Sequence, residues 1–184
     1  MVVRVELVTD PEEQERVFDF IDGVALRWYQ CTYPRAAHSA LFAAKQGSEI
    51  VGSVAVDFTD DAHPFPYEEV YEFDHTTTPL PFKRENIVQG SKWAATAQGV
   101  SHLLLNEMSR YALSIGKKYL LIQAKSSSIK RLTEFGIHCL PISDAKIVWR
   151  NVPVDIKHYY EEHPLPELFM VDIQQMFIAV KKFL

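Results

Sequence analysis

A strand, a turn of small residues, an amphipathic helix and a second strand follow one another between residues 86 and 124, and this run constrains the fold most. Residues 86–95 are predicted to form the first strand. Apolar residues then recur at three- and four-residue spacing, which predicts a helix over residues 99–115: Val100, Leu103, Leu104, Met108, Tyr111, Ala112 and Ile115. Gly116 ends this helix, and Tyr119–Ala124 is predicted as the second strand.

The turn at Gly99 has two interpretations. A helix that follows a turn of small residues presents backbone N–H groups without intrahelical acceptors, and such groups bind phosphates. Glycine allows the backbone to approach an anion closely, and Ser101 adds only a small hydroxyl group. A glycine before a helix is also common as a plain structural corner, so both interpretations stay open on spacing alone.

Composition excludes several classes of protein. Of the 184 residues, 47% are apolar and 23% are charged, as in globular proteins, and residues 1–184 are expected to form one domain. There is no run of about 18 apolar residues, so no membrane association is expected. A net charge of −5 argues against nucleic-acid binding. Cys31 and Cys139 lack metal-motif spacing, so no metal is expected, and two free thiols fit a reducing cytoplasm.

The rest of the chain has mixed signals, and the predicted class is α+β. The predicted elements are a strand at Val3–Leu7, a helix from Thr9 that can break near Gly23, an antiparallel hairpin over 40–45 and 49–58, loops over 59–84, a helix over 126–135 and a strand over 146–151. Residues 167–184 are compatible with either a strand or a helix.

Residues 99–124 resemble, without a gap, the core of the GNAT acyltransferase superfamily: a G-x-G/A turn, a leucine-rich helix, a glycine and a short strand ending in a small residue. Phe135–Ile137 and the hairpin strand at Glu49–Val54 extend the resemblance to roughly residues 15–137. It implies a mixed, mostly antiparallel central sheet with helices on both faces. It also implies a splayed pair of parallel strands, here those ending near Ala95 and Ala124.

The same resemblance implies that acyl-CoA or acetyl-CoA is bound as a co-substrate. The residues implied to hold it are Trp93, Ala94 and Ala95 along the pantetheine arm, and Thr96, Gln98, Gly99, Val100 and Ser101 at the pyrophosphate. Thr96 stands where the family usually has glutamine or arginine, so one phosphate contact would be weakened. Leu132 stands where many members have a tyrosine that protonates the leaving thiolate, which leucine cannot do.

A second resemblance concerns the first strand. Val88–Ala95 is similar, in degenerate form, to the E-x-S-R-x-A-V strand of acyl-homoserine-lactone synthases and N-acyl amino acid synthases, which are GNAT-fold enzymes without that tyrosine. Gln89 takes the place of their glutamate, and Lys92 that of their arginine. Lys92 keeps the positive charge of that arginine, but Gln89 cannot act as a base.

Attack of an amine on a thioester needs a proton acceptor and a donor to the developing oxyanion. Glu85 opens the predicted strand and is the candidate base, although it can equally be a solvated glutamate beside Lys83 and Arg84. Gln89 is the second candidate catalytic residue. The oxyanion donor would be a backbone N–H near Ala94.

The expected function is therefore an N-acyltransferase that moves an acyl group from coenzyme A, or from an acyl carrier protein, directly to a small-molecule or peptide amine. The alternative is a GNAT-fold module that binds an acyl thioester or another ligand without catalysis, which Leu132, Gln89 and Thr96 favour. A third interpretation is a homodimer through residues 167–184. Its interface would contain Leu168, Val171, Gln175 and Ile178.

Two charge clusters each have a functional and a plain interpretation. Five cations between Lys117 and Arg131 would flank the nucleotide end of coenzyme A or an acidic carrier protein. Seven acids between Asp57 and Asp74, Asp60 and Asp61 among them, would favour a cationic acceptor. Either cluster can equally be a solvated surface. Surface or capping roles are expected for His63, His75, His102 and His138.

Overall fold

The computed structural model describes residues 2–59 and 63–184. Its strands are β1 (Val3–Leu7), β2 (Ala40–Gln46), β3 (Glu49–Asp57), β4 (Tyr71–Glu72), β5 (Ile87–Ala95), β6 (Tyr119–Ala124), β7 (Leu140–Pro141), β8 (Lys146–Ile147) and β9 (Glu167–Asp172). Its helices are α1 (Pro11–Tyr29), α2 (Pro66–Val70), α3 (Val100–Ser114), α4 (Ser126–Glu134), α5 (Lys157–Glu161) and α6 (Ile173–Val180). Short 3₁₀ turns lie at Arg84–Asn86, Trp149–Asn151, Val154–Ile156 and Lys181–Phe183.

Among the described residues, seven strands form one sheet in the order β1-β2-β3-β5-β6-β9-β7, and β4 pairs with β8 separately. Only β5 and β6 run parallel within this sheet, while its other neighbours are antiparallel. Helix α3 is the crossover that joins β5 to β6. The fold class is therefore the predicted α+β architecture with one parallel pair in a mostly antiparallel sheet.

Helices cover both faces of the sheet. On one face α3 packs against β1, β2, β3 and β5 and α6 packs against β9, with Leu104, Met108 and Met176 in the same core cluster as Val88 and Leu120. On the opposite face, α1 packs over β2 and β3. Helices α2 and α5 pack over β5, β6 and β9 on that same side, and their cluster is centred on Phe65, Tyr160, Leu121 and Met170.

Local signals explain how the long helices begin and end. Asp10 caps α1, because its carboxylate accepts the Glu13 N–H at 2.9 Å, and Pro11 occupies the first turn. The helix then runs through Gly23 without a break and ends at Gln30, which has a left-handed φ of 51°. Asp172 caps α6 in the same way, accepting the Gln175 N–H at 2.8 Å.

Most predicted elements are confirmed, and three are corrected. Residues 59–84 include the short helix α2, and of the predicted strand over 146–151 only Lys146–Ile147 is extended. Residues 167–184 contain both β9 and α6, so the two alternatives hold for successive parts of the segment. The proposed dimer interface is wrong in its composition, because Leu168 and Val171 are each only 1% exposed within the core.

Two further observations concern the chain as a whole. In the described residues, no helix combines the length and the apolar character that crossing a membrane requires. Both cysteines are free thiols, with Cys31 buried and Cys139 partly exposed.

Candidate active site

The parallel strands β5 and β6 pair over only part of their length. Ile87–Gly90 pairs with Tyr119–Ile122, and we call this region the closed half. Beyond it, β5 stays bonded to β3 up to Ala95, while β6 stays bonded to β9 up to Ala124. The facing edges of Ser91–Ala95 and Gln123–Ala124 therefore separate, and we call this region the open half. The predicted splay between strands that end at Ala95 and Ala124 is present.

A β-bulge lies at the start of the open half. Ser53 pairs with Ala94 and Ala55 pairs with Ser91, so Lys92 and Trp93 together oppose a single residue of β3. Lys92 has a φ of 53°, which is uncommon for a residue with a side chain, and its carbonyl accepts the Ser53 hydroxyl at 2.9 Å. Bulges redirect side chains and are frequent beside active sites. Here the bulge turns β5 away from β6.

The N-terminus of α3 lies at the end of β5. Its N-cap is Gly99, with a φ of 79°, and no side chain caps it among the described residues. Of the four amides predicted to hold the pyrophosphate, that of Val100 makes a long bond of 3.4 Å to the carbonyl of Ala97. Gln98 and Gly99 are exposed. The turn thus has the open backbone that an anion needs, rather than one already closed by side chains.

Thr96, the remaining residue of the predicted phosphate set, is engaged within the protein. Its N–H donates to the carbonyl of Val51 at 2.9 Å, and its hydroxyl donates to the same oxygen at 3.2 Å. These two bonds hold the end of β5 against β3. The hydroxyl hydrogen of Thr96 is therefore already bonded to the carbonyl of Val51.

A cavity of about 490 Å³ occupies the open half, and residues from both faces of the sheet line it. On the face of α3, α4 and α6 its walls are apolar, and we call this side the helical lobe: Leu105, Met108, Leu132, Ile137 and Met176. On the face of α1, α2 and α5 tyrosines line it, and we call this side the tyrosine lobe: Tyr29, Tyr33, Tyr67, Tyr159 and Tyr160. Trp93 and Ala94 of β5 also line the cavity.

Lys92 brings an amine to the tyrosine lobe. Its Nζ donates to the carbonyl of Pro34 at 3.1 Å and lies 4.3 Å from the centre of the Tyr33 ring. Among the described residues no carboxylate lies within ion-pair distance of Nζ. Burial lowers the pKa of Lys92 to about 8, and the negative charges of Asp22 and Asp57 oppose this shift only in part.

Two residues from the outer end of the β2–β3 hairpin also line the cavity. Nδ1 of His38 lies 3.1 and 3.0 Å from the two carboxylate oxygens of Asp57, and the N–H of Ser39 donates to the same carboxylate at 3.2 Å. His38 Nε2 is fully buried without a hydrogen-bond partner among the described residues. The sequence analysis did not single out His38. The predicted hairpin could have indicated it, because the register that pairs Ala40 with Val56 continues to Ser39 and Asp57, directly beside His38.

The two predicted catalytic residues have different positions. Gln89 is 2% exposed and lines the cavity, but its carboxamide oxygen accepts the Tyr67 N–H at 2.8 Å. The Tyr67 hydroxyl donates to the carbonyl of Gly90 at 2.8 Å, where the strands begin to separate. Glu85 is exposed in the 3₁₀ turn before the closed half, and it is not part of the cavity wall. The geometry therefore gives no support to Glu85 as the base.

The predicted cation cluster does not form one surface. Lys117 and Lys118 precede β6 at the closed half, at the opposite end of the strand from Ala124. Lys125 is buried, and its ammonium group bonds to the carbonyl and the carboxylate of Glu162 at 2.9 and 2.7 Å. Of the five, Lys130 and Arg131 on α4 are exposed near the open half, while Lys118 is exposed at the closed half.

The predicted acidic cluster is also divided. Glu68 pairs with Arg84 and with His75, and Asp57 pairs with His38. Asp60 and Asp61 lie outside the described residues. Within residues 2–59 and 63–184, no three histidine, cysteine or acidic side chains are grouped as a metal site would require.

Comparison with known proteins identifies the fold. No family model and no curated protein sequence matches the chain. Among solved structures, the CoA-dependent acyl-homoserine lactone synthase BjaI with SAM and isopentyl-CoA is 15% identical, with a TM-score of 0.66 over 99% of this chain and 90% of that one. FeeM, an N-acyl amino acid synthase from uncultured soil microbes, is 10% identical, with a TM-score of 0.65 over 95% and 93%.

A GNAT-family acetyltransferase from Staphylococcus aureus Mu50 is 8% identical, with a TM-score of 0.58 over 94% of this chain and 99% of that one. These likenesses extend over nearly the whole of each chain, and they join the three kinds of protein that the sequence resembles. At such low identity they concern the backbone and not the chemistry. The chain therefore has a GNAT-like fold, the architecture of acyl-homoserine-lactone synthases, N-acyl amino acid synthases and GNAT acetyltransferases.

Proposed function

We propose that this chain is an N-acyltransferase that transfers an acyl group directly from an acyl-CoA thioester to an amine. The observation that carries the proposal is the separation of β5 from β6 beyond Gly90 and Ile122. The separation leaves backbone donors and acceptors on Ser91–Ala95 without a strand partner on that side. An amide-containing pantetheine arm is the right chemistry to satisfy them, because buried backbone groups need hydrogen-bond partners.

The ends of the open half suit the two ends of such a donor. The uncapped turn at Gly99 would hold the pyrophosphate through the N–H groups of Gln98, Gly99 and Ser101. The pantetheine arm would follow Trp93–Ala95, and the acyl chain would enter the helical lobe, whose walls are apolar. The acceptor amine would then approach from the tyrosine lobe, on the opposite face of the sheet. An acyl carrier protein would present the same arm without the nucleotide.

A ligand-binding module without catalysis is the second candidate function. Two observations favour it. Leu132 lines the cavity without any proton to give to a thiolate, and the Gln89 carboxamide is already bonded to Tyr67. Tight binding of acyl-CoA, with no thiol released in the presence of any amine, would support this candidate over the enzyme.

Isothermal titration with acetyl-CoA and with longer acyl-CoA esters tests the donor site, and thiol release in the presence of a panel of amines tests the transfer. We expect binding to each soluble thioester and thiol release with at least one amine. A folded sample that binds no thioester would overturn the proposal.

Gly99 and Gly116 provide a matched pair of variants for the same titration. Both have a φ near +80° and no neighbouring atom within 4 Å of an added Cβ, so an alanine strains each backbone equally, by about 1–2 kcal/mol. Gly99→Ala is expected to weaken acyl-CoA binding about tenfold, which is ~1.4 kcal/mol. Gly116→Ala, at the other end of α3, is expected to reduce stability by the same amount as Gly99→Ala and to leave the affinity for acyl-CoA unchanged.

A further inference from the structure

Lys92 combines three features that a surface lysine lacks. It occupies the bulge that begins the open half, it has a left-handed backbone conformation, and its side chain lines the cavity. A strained, non-glycine backbone is maintained only where the surrounding structure demands it, and such residues cluster at functional sites. The bond from the Ser53 hydroxyl to the Lys92 carbonyl holds this conformation in place.

The surroundings of Nζ leave it free to exchange a proton. The Pro34 carbonyl accepts one N–H, and the face of Tyr33 lies against the amine, but neither group takes a proton from it. The titratable groups that face it are Asp22 from α1, Cys31 and Tyr33 from the segment after α1, and Asp57 from β3. Desolvation outweighs their effect and lowers the pKa of Lys92 to about 8, close to the value that proton transfer at neutral pH needs.

We propose that Lys92 is a catalytic residue that accepts the proton of the attacking amine and passes it to the leaving thiolate. This inference rests on the acyl transfer proposed above. It assigns to one side chain both of the proton transfers that the reaction requires.

The step balances in atoms and charge. The neutral acceptor amine attacks the thioester carbonyl, a C–N bond forms, and one amine proton moves to the lone pair of neutral Lys92. The C–S bond then breaks, and the resulting ammonium group gives the same proton to the thiolate sulfur. The products are an amide and a free thiol, and Lys92 returns to its neutral form.

The other candidates in the site are less suitable. Gln89 has no basic lone pair, and its carboxamide bonds to Tyr67. Glu85 lies outside the cavity wall. His38 lines the cavity, but its Nε2 atom has no accessible surface and its Nδ1 atom is bonded to Asp57. Leu132, at the family's tyrosine position, has no proton to donate, so the thiolate needs another donor.

Substitution of Lys92 by arginine tests the proposal, because arginine keeps the charge and the length but does not release its proton. Lys92→Arg is expected to lower kcat about 100-fold or more, with KM for acyl-CoA and calorimetric affinity unchanged. The matched control is Lys182→Arg, an exposed lysine of the C-terminal 3₁₀ turn, which is expected to leave both constants unchanged.

The pH profile gives a readout that a structural role would not move. With an acceptor amine that is neutral throughout the range, kcat of the native protein should rise as the pH passes about 8, because the deprotonated lysine is the active form. Lys92→Arg should lose this rise. If Lys92→Arg retains both the kcat and the profile of the native protein, the role of Lys92 is overturned while the acyl transfer stands.

A second measurement does not depend on turnover. Competitive labelling of lysines with a trace of acetic anhydride, read by mass spectrometry across pH, reports when each amine loses its proton. Lys92 should react at lower pH than Lys182, and a titration at the ordinary lysine value would overturn the proposal. Should the native protein release no thiol with any amine, both the acyl transfer and the role of Lys92 would fail.

Discussion

The closed and open halves of the β5–β6 pair differ in what their backbone does. In the closed half, Ile87–Gly90 and Tyr119–Ile122 satisfy each other and are backed by core side chains such as Leu121, which is 0% exposed. In the open half, the same two strands are held only by their outer neighbours, β3 and β9. The closed half thus acts as the support, and the open half carries the cavity. Substitutions in the two halves should therefore separate stability from binding.

The largest effect is expected in the closed half. Leu121→Ala removes a fully buried side chain and should lower the free energy of unfolding by about 2–5 kcal/mol, because it leaves a void in the core. Denaturant unfolding measures this, with Ile178→Ala as the control, since Ile178 is 53% exposed. The fraction that remains folded should bind acyl-CoA normally. A selective loss of affinity in folded Leu121→Ala would contradict the division.

His38 lies at the edge of the cavity and should contribute mainly to stability. His38→Ala removes one partner of the partly buried Asp57 carboxylate and should cost about 1–3 kcal/mol. His158→Ala, on the exposed surface of α5, should change stability by less than about 0.5 kcal/mol. Equal unfolding midpoints for the two variants would show that the His38–Asp57 pair does not hold the hairpin end.

Substitution of Lys92 should raise the stability of the protein rather than lower it. Its pKa is lowered by burial, so the protonated amine is less stable in the folded protein than in water, and Lys92→Met should raise Tm at pH 7 by ~2–4 °C. Activity should fall in the same variant.

The pH dependence of that gain has a defined direction. Between pH 8 and 10.5 the unfolded chain holds the Lys92 proton and the folded chain does not, so the native protein gains stability as the pH rises. The advantage of Lys92→Met should accordingly shrink across this window. A constant difference in Tm from pH 7 to 10.5 would contradict the lowered pKa.

The smallest effect concerns surface charge at the two ends of β6. Arg131→Gln, on α4 beside the open half, should weaken acyl-CoA binding by up to about fivefold at low salt, and less at high ionic strength. Lys118→Gln, before the closed half, should leave the affinity unchanged. Equal losses in the two variants would favour a long-range effect of net charge over a donor held at the open half.

Local patterns predicted much of the architecture. The run from Ile87 to Ala124 was predicted to within a residue or two at each end, since strand composition, helical periodicity and the glycines at 99 and 116 are properties of neighbouring residues. Residues 167–184 were ambiguous, because an apolar segment suits either state until its partners are known. Only pairing with β6 makes Glu167–Asp172 a strand.

The candidate site was predictable only in part. The turn at Gly99 and the two diverging strands were deduced from sequence order and resemblance, and the structure contains them. Lys92 was noted only as a replacement for an arginine, and Glu85 was preferred because it opens the predicted strand. The surroundings that distinguish these two residues come from distant segments, residues 31–38 and Asp57 among them.

By itself, the sequence determined the order of strands and helices and a glycine turn ahead of α3, since these depend on contacts within a few residues. Tertiary structure alone decided that β5 leaves β6 after Gly90 to remain with β3, and that β6 remains with β9. It also decided which amine is desolvated beside the resulting gap. Both outcomes depend on competition among hydrogen-bond partners and on burial by residues far apart in the chain, which no local pattern encodes.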